Sequence, residues 1–156
     1  MNRPKNAFIV IAGCSRLGSG LAGNLCEKGI DVTVIDRDMQ AFRRLPSHYS
    51  GFQLLGDATD TDILENAGIY RATLLVAATE NDNVNCMIAQ IACQIYHVRQ
   101  VFARFDDPDL SYLLQESEAH ILCSAELAAT AFANSCILTG PHSRREFFQE
   151  GERKCE

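Results

Sequence analysis

FIVIAGCSRLGSGLAGNLCEKGIDVTVID, from Phe8 to Asp36, decides the fold. Its first five residues, Phe8-Ile9-Val10-Ile11-Ala12, are apolar, rich in β-branched side chains and too few for a typical helix. They read as a buried strand. Gly13 follows at once and Gly18 five residues later. The apolar spacing then becomes helical, with Leu17, Leu21 and Leu25 on one face. A second apolar run, Val32-Thr33-Val34-Ile35, ends in Asp36. The order is strand, glycine turn, helix, strand, acid. A glycine there allows a sharp strand-to-helix turn. The helix then points free N–H groups and its positive dipole end toward an anion such as phosphate. A carboxylate closing the second strand is placed to accept hydrogen bonds from ribose hydroxyls. The dinucleotide fingerprint G-x-G-x-x-G is kept except at its middle glycine, which is Ser15 in Gly13-Cys14-Ser15-Arg16-Leu17-Gly18. Ser15 brings a Cβ to where a pyrophosphate approaches and a hydroxyl that can bond a phosphate oxygen.

Outward from this stretch, strands and helices keep alternating. Met39 to Leu45 predicts a short helix stopped by Pro46. Gly51 to Leu55 predicts a third strand, followed by Gly56-Asp57-Ala58. Asp60 or Thr61 caps a helix through Ile63, Leu64 and Ala67 that ends at Gly68. Thr73 to Ala77 is apolar throughout, as a strand covered on both faces should be. Thr79 is the expected cap of the longest helix, with Asp82 at the capping-box position. Val84, Met87, Ile88, Ile91 and Ile95 give that helix an apolar stripe expected to face the core. Gln100 to Ala103 is a fifth strand ending at Arg104, and Asp107-Pro108 opens a helix through Leu110, Leu113 and Leu114. Ala119 to Cys123 is a sixth strand, and Ser124 caps a last helix from Ala125 to about Leu138.

Such alternation predicts an α/β fold: a Rossmann-like, doubly wound, six-stranded parallel sheet in the order 3-2-1-4-5-6. Residues 1–140 read as one nucleotide-binding domain and 141–156 as a loose charged tail. Ligands of this fold bind above the carboxyl ends of the strands, at the switch point between the first and fourth. The segments meeting there are Gly13 to Gly18, Asp36-Arg37, Gly56-Asp57-Ala58 and Ala78-Thr79-Glu80, with Arg104 near the rim. Duller roles are open to several of these residues. Arg16 can be an exposed helix-start residue, Asp36 a cap for the next helix, and Asp57 and Thr79 turn and cap residues. Arg104 can pair with Asp106 or Asp107.

Composition narrows the function further. The chain has 156 residues and a net charge of −6, with Lys and Arg scattered, so a nucleic-acid surface is not expected. No apolar run reaches the roughly 20 residues that span a bilayer, and Met1 to Asn6 does not read as a signal peptide. Seven cysteines, an odd number without a C-x-x-C pair, read as reduced core residues rather than a disulfide framework or zinc site. Cys14 is the exception to watch, because a helix N-terminus can lower a thiol pKa. The four histidines show no metal-ligand spacing, and no metal is predicted. Y-x-x-x-K, G-x-S-x-G and H-E-x-x-H are all absent.

Several ordered motifs together resemble the TrkA N-terminal family, also called RCK or KTN domains. They are Gly13-x-Ser15-Arg16-x-Gly18-x-x-Leu21-Ala22, Val34-Ile35-Asp36-Arg37-Asp38, Gly56-Asp57-Ala58-Thr59, Leu64-x-x-Ala67-Gly68-Ile69, Ala78-Thr79-x-x-Asp82-x-x-Asn85 and Ala103-Arg104-x-x-Asp107-Pro108. The resemblance covers about residues 7–138 and implies a cytosolic regulator of potassium uptake systems or channels, not an enzyme. The implied ligand is an adenine nucleotide: AMP, ADP, ATP or NAD/NADH. By position, Gly13, Cys14, Ser15, Arg16, Leu17 and Gly18 would hold phosphates and Asp36 the ribose. Asp57 and Ala58 would border the adenine, where Arg37 could stack, and Thr79 would lie on the phosphate or ribose side. The resemblance further implies a homodimer or higher oligomer on a membrane-embedded potassium transporter subunit, at the inner face of the plasma membrane. Many relatives continue into a second ligand-binding domain, so a full gating-ring protein is not expected here. Two other readings are a small NAD-dependent oxidoreductase and an interaction module that has lost its ligand.

Overall fold

The structure, a computed structural model, describes residues 7–137. The expectations for the first six residues, Leu138, Gly140-Pro141 and the charged tail lie outside them. Strands β1 (Phe8–Ala12), β2 (Asp31–Asp36), β3 (Phe52–Leu55), β4 (Leu74–Ala77), β5 (Val101–Phe105) and β6 (His120–Cys123) form one sheet in the order β3-β2-β1-β4-β5-β6. All five pairings are parallel. This is the doubly wound arrangement that the sequence predicts. Helices α1 (Arg16–Glu27), α2 (Thr61–Asn66), α3 (Asp82–Gln94) and α4 (Ser124–Ile137) join or follow the strands.

β1 is buried along its whole length because it lies between β2 and β4 and both of its faces are covered. Alternation divides its side chains. Val10 and Ala12 join the core made with Leu64, Ile88 and Phe105. Ile9 and Ile11 join the core on the other face with Val32, Val34 and Ala22, flanked by Leu17, Leu21 and Leu25. The register Ala12↔Ile35 and Ala12↔Ala77 brings the ends of β2, β1 and β4 level. Their following loops therefore emerge at one place. A compact unit ends at Cys123, and a second begins at Ser124 with α4.

Several local expectations are corrected. The segments Met39–Arg44 and Pro108–Leu114 are 3-10 helices, each begun by an aspartate, Asp38 or Asp107, that accepts from an N–H two residues on. The cap of α3 is Asn81, whose Oδ1 accepts from Val84 N at 3.1 Å, and not Thr79. Asp82 is consequently the first helical residue rather than the third, and its carboxylate accepts instead from Asp106 N and Asp107 N. Ser124 is the first residue of α4. The stripe expected on α3 is only partly a core face: Met87 is 51% and Ile95 58% exposed. The positions buried under the helix are Asn85, Cys86, Ile88, Ala89 and Ala92. Small side chains let α3 lie close to the sheet, as Gly18, Ser19, Ala22 and Gly23 do for α1.

Candidate functional site

The loops after β1, β2, β3 and β4 enclose a cleft of about 310 Å³, the size range of small-ligand sites. Gly13, Cys14, Ser15, Asp36, Arg37, Asp57, Ala58 and Thr79 all line it. Arg16, Leu17, Gly18 and Arg104, also singled out from the sequence, do not.

Gly13 holds the loops after β1 and β4 together. Its backbone takes φ +108°, a conformation that side chains rarely adopt. A Cβ there would stand 2.6 Å from Thr79 N and 2.7 Å from the carbonyl carbon of Ala78. The turn after β1 thus presses against the turn after β4, across the switch point. Gly18 has a related role, since a Cβ on it would meet the Gly13 carbonyl oxygen at 1.9 Å. Ser15 is buried and caps α1, its Oγ accepting from Gly18 N at 3.2 Å. That leaves the hydroxyl proton free for an acceptor in the cleft. Among the described residues, the N–H groups of Ser15, Arg16 and Leu17 meet no acceptor, as the first turn of a helix requires of an anion site.

Asp36 ties this turn to β2. Its Oδ2 accepts from Cys14 N at 2.7 Å and its Oδ1 from Asp38 N at 2.9 Å. Each carboxylate oxygen can accept more than one bond, so both retain capacity for hydroxyl donors. On the β3 side, Asp57 Oδ1 accepts from Thr59 N at 2.9 Å and Thr59 Oγ1 at 2.7 Å, and Arg37 lies 3.7 Å from Oδ2. The Thr59 bonds first, and the guanidinium after them, hold the Asp57 carboxyl below its ordinary pKa.

Thr79 is organised by Asn85, a fully buried side chain on α3. Asn85 Oδ1 accepts from Thr79 N at 2.9 Å and Thr79 Oγ1 at 2.7 Å. Its Nδ2 donates to the carbonyls of Thr79 at 3.0 Å and Arg104 at 2.9 Å. The four bonds use the whole capacity of the amide and lock the end of β4 to the end of β5. Arg104 contributes that carbonyl. Its guanidinium turns to Asp106, with Nε to Oδ1 at 3.0 Å.

Two participants carry no role in the sequence reading. One is Asn85, for which a polar residue amid the apolar face of a helix was the available signal. The other is Arg44, at the end of the 3-10 helix after β2. It lines the cleft and donates from Nη1 to the Cys14 carbonyl at 3.3 Å. Cys14 is fully buried and its Sγ donates to the Ala41 carbonyl at 3.3 Å. Burial first, and Asp36 second, push this thiol up to about 11 against a smaller opposing effect of Arg44. The lowered pKa considered from its place beside a helix N-terminus is therefore not found. Among the described residues no group of three His, Cys, Asp or Glu is placed to hold a metal ion, and no helix is long and apolar enough to cross a membrane.

The TrkA-N domain model matches residues 9–125. Over 100 residues the chain is 44% identical to the Trk system potassium uptake protein TrkA of Streptomyces coelicolor, covering 64% of this chain and 45% of that protein. The chain thus spans less than half the length of this relative. The RCK domain of GsuK superposes with a TM-score of 0.70 at 27% identity, over 85% of this chain and 28% of that one. Two further structures share the fold at lower identity. One is the AMP-bound Kef C-terminal domain of Shewanella denitrificans (TM-score 0.71, 22% identity, 95% of this chain and 90% of that one). The other is the GsuK channel bound to NAD (TM-score 0.72, 24% identity, 86% of this chain and 24% of that one). With residues 9–125 of its 156 matched by the TrkA-N domain model, the chain belongs to the TrkA-N family.

Proposed function

We propose that this chain is an adenine-nucleotide-binding regulatory domain that acts as a ligand-controlled switch for a membrane-embedded potassium transport subunit. The observation that carries the reading is the cleft itself. The Gly13–Ser15 turn before α1, the Asp36 carboxylate and the Thr79 loop converge on one volume from three different strands. In this reading Asp36 accepts from the ribose hydroxyls, Asp57 and Ala58 border the base with Arg37 beside it, and the phosphate lies over Ser15 to Gly18. Thr79 sits on the phosphate or ribose side. AMP, ADP, ATP and NAD/NADH are the candidate ligands. Related folds captured with AMP and with NAD, and a relative named for potassium uptake, support the class.

A ligand shifts a conformational equilibrium only by its differential affinity for the two states. A nucleotide touching three loops has the means, because it changes charge and packing between them. The domain works as a homodimer or higher oligomer at the cytoplasmic face of the membrane, and the nucleotide leaves unchanged. The test incubates purified protein with NADH and ATP, follows both by chromatography, and compares small-angle scattering and transporter pull-down for the AMP-, ATP- and NADH-bound forms. Intact nucleotides with ligand-dependent scattering or capture are expected. Turnover of either nucleotide overturns the regulatory reading in favour of an enzyme.

A further inference from the structure

At the other end of the sheet from the cleft, two tyrosines stand on the connections that lead into β4 and β5. Tyr70 lies in the 3-10 turn Ile69–Arg71 before β4, and Tyr96 follows the last turn of α3 before β5. Their rings meet edge to face, with centroids 5.1 Å apart and planes at 80°, a favoured aromatic geometry. Both hydroxyls donate to the same oxygen, Oε1 of Glu65 on α2, at 2.9 Å from Tyr70 and 3.0 Å from Tyr96. The three side chains make one corner that ties α2 to the end of α3.

The corner is fixed yet open. Tyr70 is 72% exposed, and Glu65 is exposed as well. An exposed tyrosine ordinarily keeps its rotamer freedom. This one gives it up to a ring contact and a hydrogen bond, so its ring is held ready for a partner. The carboxylate is only half used. Oε1 takes both hydroxyls, while among the described residues Oε2 meets no donor and no basic side chain pairs with Glu65. Asp62, one helical turn earlier on the same face of α2, adds negative charge. The adjacent cation, Arg71, is engaged elsewhere: its guanidinium lies over the Phe8 ring, 4.2 Å from the centroid.

An exposed ring beside an unneutralised carboxylate selects one kind of ligand. The ring face attracts a cation, and the carboxylate pairs with it. A guanidinium does both at once, because it is planar enough to stack and forked enough to meet two oxygens. A compact ammonium is more strongly hydrated. The net charge of −6 favours the approach of a basic partner. Each contact is weak at an exposed site, so the corner works as one anchor of a wider contact.

We infer that the Tyr70–Tyr96–Glu65 corner is a docking point for an arginine side chain on a basic segment of a partner protein. A membrane transport subunit fits that description, since cytoplasmic loops of membrane proteins are rich in Lys and Arg. That identification rests on the regulatory reading of the cleft; the recognition chemistry of the corner does not.

The test follows the tyrosine ring signals by solution NMR at low salt. The titrants are the blocked peptide Gly-Arg-Gly and the same peptide carrying citrulline, the uncharged counterpart of arginine. Wild type, Glu65→Gln and Tyr70→Leu are compared, each checked for folding by circular dichroism. Glu65→Gln keeps an acceptor for the tyrosine hydroxyls and removes the charge. Tyr70→Leu keeps an apolar side chain at an exposed position and removes the ring. The arginine peptide should shift the Tyr70 and Tyr96 signals saturably, with a dissociation constant on the order of millimolar, and citrulline should weaken binding by roughly tenfold. Each variant should weaken the arginine peptide by roughly two- to fivefold, the loss of one exposed ion pair or one cation–π contact. Wild-type rings that do not respond, equal binding of the two peptides, or equal binding by all three proteins overturns the docking point. Ring signals that move with protein concentration alone assign the corner to a second copy of the chain and overturn the arginine partner. The titration contains no nucleotide, so it decides the corner whether or not the cleft binds one.

Discussion

Gly13 takes a backbone conformation with φ +108° and sits where a Cβ would press on the Ala78–Thr79 backbone. Gly13→Ala combines left-handed strain with a backbone clash, so it should destabilise the fold by roughly 3 kcal/mol in denaturant titration; a loss below the noise of that measurement contradicts the close approach. Ser15 departs from the glycine of the dinucleotide fingerprint, and its hydroxyl caps α1. Because glycine is itself a tolerated cap, Ser15→Gly should change stability by only a few tenths of a kcal/mol. It should favour NAD over AMP, since the wild type is expected to bind a mononucleotide at least as well as NAD. Thermal-shift titrations in which the wild type clearly prefers NAD would refute the steric argument. Cys14 titrates in the folded state at about 11, above its ordinary 9.0. A raised folded pKa contributes stability that is complete below the unfolded pKa. That stability is lost as pH rises from about 9 to about 11. Cys14 should therefore resist alkylation at neutral pH until the chain unfolds, and stability should fall through that alkaline window by more in the wild type than in Cys14→Ala.

Among the elements, α3 shows best which features the sequence made legible and which it did not. Its existence and its place after β4 follow from the apolar run ending at Ala77 and the acid-rich start. Its orientation does not follow, because a stripe search rewards large apolar residues. Close helix–sheet packing instead selects small residues such as Ala89 and Ala92, and leaves Met87 and Ile95 outside. Asn85 escapes for a similar reason: its function lies in four hydrogen bonds to backbone groups that only the folded β4 and β5 bring together. Asn85→Ala strands those groups in a buried place and should cost about 2–3 kcal/mol. Asn85→Asp cannot supply the two donors and should also destabilise, which hydrogen exchange at the Thr79 amide can follow. The last helix carries Ala125, Ala128, Ala129, Ala131 and Ala133 with Leu127, Phe132 and Leu138, an apolar composition that predicts burial on more than one side. Leu138 and the side chain of Leu127 lie outside the described residues, while Phe132 is 71% exposed. We propose that a homodimer through α4 covers so apolar a helix. Phe132→Asp should then shift the light-scattering mass from dimer to monomer at micromolar concentration, while the melting of the sheet unit stays the same. A wild-type monomer contradicts this use of α4.

For the whole molecule, strand order and cleft position come from one rule. Parallel strands joined through helices open a crevice where the order reverses. The runs ending at Ala12, Asp36, Leu55 and Ala77 were readable, so the residues just beyond them were readable as well. Arg44 was not, because it reaches the cleft through a 3-10 turn whose course no periodicity announces. Arg16 and Arg104 fall near the right loops, but their side chains leave for a groove beside α1 and for Asp106. In the proposed function the cleft grips an adenine nucleotide through Asp36. Its most direct test is the calorimetric titration of AMP into the wild type and Asp36→Ala, both checked for folding by circular dichroism. The account predicts saturable binding of one AMP per chain, weakened by roughly 1–3 kcal/mol in the variant, the loss of hydrogen bonds to a charged acceptor. Equal affinity in the two proteins, or no binding by the wild type, contradicts it.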